Sequence, residues 1–96
     1  MKLAEEISLE GSPVSNANDA AMELARLWLV DGRPTFLINT QLWEKPEMWG
    51  LLLSDFVEHI ANAYRAEGND RNAVIKKITM AFEVERKSPT SSADPR

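Results

Sequence analysis

The sequence predicts a small α+β domain of ββαα order, a β-hairpin followed by two antiparallel α-helices, and three observations carry that expectation. Asp31-Gly32 sits between two apolar runs of similar length, Glu23 to Val30 and Arg33 to Asn39. A long apolar stripe with helical spacing opens after Pro46, and a shorter one opens after Asp70. Asp-Gly suits the two-residue type I′ turn, whose central residues both need positive φ.

Residues 1–19 are expected to form a flexible N-terminal arm, because Gly11, Ser12, Pro13, Ser15, Asn16, Asn18 and Asp19 make a cluster of turn formers. Leu3, Ile7 and Leu9 give that arm a means of docking. Residues 20–87 are expected to be a single α+β domain, and residues 88–96, with two prolines and almost nothing to bury, a disordered tail.

The first strand competes with a helix. Ala20 through Leu27 are strong helix formers, and Ala21, Leu24, Ala25 and Trp28 would share a helical stripe. Against this stand the Leu27-Trp28-Leu29-Val30 run, the Asp-Gly break and the matching run Thr35 to Thr40. The strand is therefore expected from about Glu23, after a helical turn at Asp19 to Met22. An alternative with residues 19–30 helical and a single strand stays open.

A two-residue loop at Asp31-Gly32 sets Val30 opposite Arg33, Leu29 opposite Pro34, Leu27 opposite Phe36 and Ala25 opposite Ile38. One face then carries Ala25, Leu27, Leu29, Phe36 and Ile38. The other carries Leu24, Trp28, Val30 and Leu37 beside Arg26, Thr35 and Asn39. An isolated hairpin is marginal in water, so two apolar faces call for cover, and the sheet is expected to be completed by dimerisation. Pro34 falls in a non-hydrogen-bonded pair, so its missing N–H faces outward and obstructs pairing along the outer edge of the second strand near the tip.

Pro46 is suited to a first helical position and Gly68 to a stop, which bounds the long helix. Trp49, Leu52, Leu53, Phe56, Val57, Ile60, Ala63 and Tyr64 form its stripe. Burying such a side chain contributes on the order of 1.5–3 kcal/mol, which makes this stripe the expected main source of core stability. Asn69 or Asp70 caps a second helix running to about Arg86, with Val74, Ile75, Ile78, Ala81 and Phe82 inward. The short connection makes the two helices neighbours.

The chain is acidic, with a net charge of −4 and a pI near 4.9. Its basic residues are scattered, so neither nucleic acid nor an anionic membrane is an expected partner. The absence of cysteine excludes a disulfide framework, a thiolate nucleophile and a cysteine-containing zinc site. The N-terminal residues carry acids where a secretory signal has an apolar core, and no run reaches the length of a membrane span, so a cytoplasmic location is expected. Gly11, Gly32, Gly50 and Gly68 are isolated and build no phosphate-cradling loop. No cofactor and no metal is expected.

Two constellations invite a functional reading. Asp55, His59 and Asn62 share a flank of the long helix at offsets of four and three, where a carboxylate can orient an imidazole. His59 is the sole histidine, and a hydrolytic site would need a nucleophile that the pattern lacks, so a surface or interface hydrogen-bonded pair is the stronger interpretation. Trp28, Trp43 and Trp49 are a high tryptophan load for 96 residues, and tryptophan is favoured where partners are gripped. Trp28 lies on the face least covered by the helices. Leu24, Trp28, Val30 and Leu37 are accordingly the expected interface.

The segments Ala25-Arg26-Leu27-Trp28-Leu29-Val30-Asp31-Gly32, Leu42-Trp43-Glu44, Trp49-Gly50-Leu51-Leu52-Leu53-Ser54-Asp55 and His59-Ile60-Ala61-Asn62-Ala63 occur in an order that resembles a bacterial family catalogued as domain of unknown function 5076. The resemblance implies a bacterial, single-domain, cytoplasmic protein and brings no activity, cofactor or site residue with it. The residues themselves favour a non-enzymatic homodimer that acts as a protein-interaction or regulatory module. The alternatives are a small acidic adaptor or chaperone holding a client segment, and a ligand-binding protein or enzyme using Asp55 and His59 near a tryptophan-lined pocket.

Overall fold

The computed structural model of the chain describes residues 4–17 and 20–89. Its elements are β1 (Ala25–Val30), β2 (Arg33–Ile38), α1 (Glu47–Ala66) and α2 (Arg71–Lys87), the expected ββαα order. Leu3, Asn18, Asp19 and the tail from residue 90 onward lie outside the described residues. The chain divides into two compact units, one reaching Glu44 and the other starting at Lys45.

In the first unit β1 and β2 form a two-stranded antiparallel sheet with the predicted register: Ala25 with Ile38, Leu27 with Phe36, Leu29 with Pro34 and Val30 with Arg33. Asp31 (φ 52°) and Gly32 (φ 77°) both take positive φ, as the tight turn between twisted strands requires. The Asn39 N–H donates to the Leu24 carbonyl at 2.9 Å and carries the ladder one pair beyond the strands. Local helix propensity at residues 20–27 loses here to cross-strand pairing of β-branched, leucine and aromatic side chains, because propensity is a weaker force than packing. The Ala20 N–H donates to the Ala17 carbonyl at 3.0 Å, and Asp19, where a helical turn is expected to begin, lies outside the described residues.

Ahead of the hairpin the turn-rich segment is a relay of short-range bonds. The Ser12 N–H and hydroxyl both donate to the Leu9 carbonyl, at 3.0 and 2.6 Å. Those of Ser15 donate to the Ser12 carbonyl at 3.2 and 2.8 Å. Serine hydroxyls that compete for backbone partners explain why this stretch turns rather than extends.

In the second unit α1 and α2 pack on each other, joined by residues 67–70. Pro46 stands at the N-cap of α1 with helical φ and ψ, one residue outside the position expected for it. At the far end Gly68 (φ 96°) lets its N–H reach the Arg65 carbonyl at 3.0 Å while the Asn69 N–H reaches Tyr64 at 3.1 Å. This is the Schellman closure, which relies on a left-handed residue that glycine supplies without strain. The Asp70 side chain then accepts from the Asn72 N–H at 3.1 Å and caps α2.

The one fully buried residue among those described is Ala61, beside the expected stripe rather than on it. Trp49, Leu52, Val57 and Ile60 are half-buried, while Leu53, Phe56 and Tyr64 from the same stripe stand exposed. On α2 the inward set Val74, Ile75 and Ile78 is half-buried, and Ala81 and Phe82 are exposed. A stripe this broad is wider than one helix–helix contact encloses, so part of it stays exposed.

Candidate functional site

The hairpin offers side chains that water disfavours and main-chain groups that lack partners. On the face built from Ala25, Leu27, Leu29, Pro34, Phe36 and Ile38, the large residues Leu27, Phe36 and Ile38 are each more than half exposed and Leu29 is 75% exposed. The opposite face carries the expected interface set. Leu24 and Trp28 are half-buried there, and Val30 and Leu37 are exposed, at 51% and 57%. All four belong to the hairpin, so the fold does bring them together.

Main-chain geometry distinguishes the two edges. The bond from Asn39 to Leu24 makes that a hydrogen-bonded pair. Alternation along an antiparallel ladder then leaves Ala25, Leu27 and Leu29 with N–H and C=O directed outward from β1, and Pro34, Phe36 and Ile38 directed outward from β2. The β1 row is complete. The β2 row lacks a donor at Pro34, since proline has no N–H.

Two concavities adjoin this ribbon. A cleft of about 340 Å³ at its open end is lined by Leu24, Ala25, Leu37, Ile38 and Asn39 with Glu23 and Arg26. A larger one, about 1020 Å³, runs along β1 and is lined on its other side by residues 4–7 and Leu9. Ile7, 94% exposed, and Leu9 stand in its wall with Leu27, Trp28 and Leu29. The contribution of residues 4–9 is the part of this site that the composition of the arm concealed; its signal was the alternation Glu5, Ile7, Leu9 against Glu6, Ser8, Glu10.

Charge at the cleft is organised around Arg26. Its Nε donates to Glu23 Oε1 at 2.8 Å. That hydrogen bond and then the Glu23 charge, with a smaller pull from Glu6, hold the guanidinium above its ordinary pKa, so it is a fixed cation.

The polar group on α1 is divided by the structure. His59 Nε2 stands 3.4 Å from Asp55 Oδ2, one helical turn away, with both side chains 69% exposed. Asn62 turns elsewhere: its Oδ1 accepts from Arg71 Nε at 2.7 Å, while Arg71 Nη2 also donates to Glu58 Oε1. Asn62 and Glu58 therefore tie α1 to the first turn of α2. Sequence spacing showed Asp55, His59 and Asn62 on one flank but could not show that Arg71 would claim the last of them. Among the described residues no group of three or more histidine, aspartate or glutamate side chains could hold a metal ion. No helix among them is long and apolar enough to cross a membrane.

Comparison with known proteins places this fold. The family model described as "Domain of unknown function (DUF5076)" matches residues 9–90, most of the chain, and the chain belongs to that family. A solved structure from the photosynthetic bacterium Rhodopseudomonas palustrus CGA009, described as a "putative pyruvate dehydrogenase", is similar at 30% sequence identity and a TM-score of 0.71. The similarity covers 100% of this chain and 97% of that one. No curated protein matches the chain.

Proposed function

We propose that this member of the DUF5076 family is a non-enzymatic, homodimeric protein-interaction or regulatory module whose hairpins associate through the Leu24, Trp28, Val30 and Leu37 face. One observation supports this above the others. The hairpin is well closed by its turn and its ladder, yet both of its faces present large apolar side chains to solvent. Each such residue gains on the order of 1.5–3 kcal/mol from burial, and contiguous exposed apolar patches of this kind mark sites of association. A bacterial, cytoplasmic setting goes with this reading, given a cysteine-free acidic sequence. Recovery of the protein from a membrane fraction would remove that part.

The activity in the description of the Rhodopseudomonas protein finds little to rest on in this chain. Its four glycines are isolated, and Asp55 and His59 form an exposed pair on one helix. An i, i+4 pair of that kind is ordinary helix-surface chemistry.

Mass in solution, by light scattering or sedimentation equilibrium, is the direct test. A dimer at micromolar concentration is expected, and a folded monomer at high micromolar concentration overturns the reading. Trp28→Asp should dissociate the dimer, since an aromatic anchor at an interface centre contributes about 2–4 kcal/mol. A dimer unchanged by that substitution moves the interface to another face.

A further inference from the structure

We infer that residues 4–9 act as a strap that closes on the outer edge of β1 as a third strand and shields that edge from other chains; this goes beyond the homodimer reading and does not depend on it.

The strap stands where it has to close. The cleft of about 1020 Å³ is bounded by β1 on one side and by residues 4–7 and Leu9 on the other, and both walls belong to the unit that ends at Glu44. β1 directs the N–H and C=O groups of Ala25, Leu27 and Leu29 outward from its ladder with β2. Among the described residues no main-chain hydrogen bond joins residues 4–9 to that row, so the strap is open in this conformation. Its hinge is the turn that follows. There the Ser12 N–H reaches the Leu9 carbonyl at 3.0 Å with Gly11 at φ 79°, a backbone conformation that glycine takes without strain.

Charge and alternation agree on how the strap faces. The Arg26 guanidinium is held above its ordinary pKa first by its hydrogen bond to Glu23, and it also feels the Glu6 carboxylate, which puts Glu6 toward the Arg26 side of the ribbon. Side chains alternate along an extended segment, so Ile7 and Leu9 fall on the other side, with Leu27 and Leu29. Ile7 is 94% and Leu9 59% exposed, and closing brings both onto an apolar face. The Leu24, Trp28, Val30 and Leu37 face receives only Glu6 and Ser8 at its margin and stays open to a second copy.

Two liabilities of the ribbon are relieved together. A two-stranded sheet is marginal in water, and a third strand moves it toward independent stability. A bare strand edge is a template for other chains, and proteins remove that hazard by covering the edge or placing charge on it. The closed strap does both, since the new edge strand carries Glu6 and runs into Glu10.

Amide hydrogen exchange of the full chain, read residue by residue by NMR, tests this. The Arg26, Trp28 and Val30 amides point to β2 and report the hairpin itself, whereas those of Leu27 and Leu29 report cover on the outer edge. Ile7→Asp removes no buried side chain, and it should accelerate exchange at Leu27 and Leu29 by at least about tenfold while leaving Arg26, Trp28 and Val30 unchanged. If Ile7→Asp loses the hairpin amides as well, Glu6→Lys decides at the same two positions. Repulsion from Arg26 then replaces attraction, and exchange should rise about twofold, a small factor because the charges are exposed. Leu27 and Leu29 amides that exchange at the same rate with and without the deciding substitution overturn the strap. Sedimentation reads the oligomeric state separately, so either proposal can fail while the other stands.

Discussion

The helix pair supplies its own boundaries and ties, whereas the hairpin supplies a backbone and leaves its side chains without cover. In α1 and α2 a glycine closure, an aspartate cap and the Arg71 bridge to Glu58 and Asn62 each use residues within the same unit. In β1 and β2 the turn and the register are fixed with equal definition, but no described side chain of the hairpin is fully buried. The difference teaches that local specification and stability are separate achievements. A chain can encode where a strand begins and what it pairs with, and still leave the large apolar side chains of that pair exposed.

The comparison can be broken most forcefully at Trp28. Trp28→Asp should abolish association, at about 2–4 kcal/mol for each copy, and lower the thermal midpoint of the hairpin unit with it. Sedimentation equilibrium with a parallel melting curve separates loss of the pair from loss of the fold. Ala61→Leu addresses the helix pair at its one fully buried site. Inserting that volume at a fully buried position should cost about 1–3 kcal/mol in urea unfolding while leaving the oligomeric state unchanged. If it dissociates the protein instead, the two regions are not energetically distinct.

Smaller effects sharpen the same contrast. Gly68→Ala forces a side chain into left-handed backbone (φ 96°) and should destabilise by about 1–2 kcal/mol, although an added Cβ would meet nothing within 4 Å. The cost there is conformational, so it should appear as reduced stability with intact packing. Asp55→Asn should change stability by less than about 0.5 kcal/mol, because its pair with His59 is exposed. A larger loss would show that this flank meets a partner.

Much of this was legible in the sequence because short-range rules govern it. Asp31-Gly32 dictated the turn, the turn dictated the register, and the register placed Pro34 and Trp28. Gly68 and Asp70 announced the helix connection in the same way. Three features were not legible. Ala61 is fully buried beside the stripe, and hydrophobic periodicity weights large residues over small ones, so an alanine there gives little signal. Arg71 reaches back 9 and 13 positions to Asn62 and Glu58, a choice among several polar partners that spacing does not resolve. Residues 4–9 stand in the cleft wall although their composition reads as a free arm, since proximity of a segment to a strand is a tertiary property. The homodimer and its site residues rest on an argument of coverage, which the measurements above decide.

A single absent amide hydrogen at Pro34 makes the two rims of the ribbon unequal. Ribbons with two competent rims can add neighbours without limit, which is how fibres grow. Phe36 and Ile38 still direct their groups outward from β2, so the missing donor at Pro34 confines that rim's pairing capacity to the end away from the turn and leaves it the poorer template of the two.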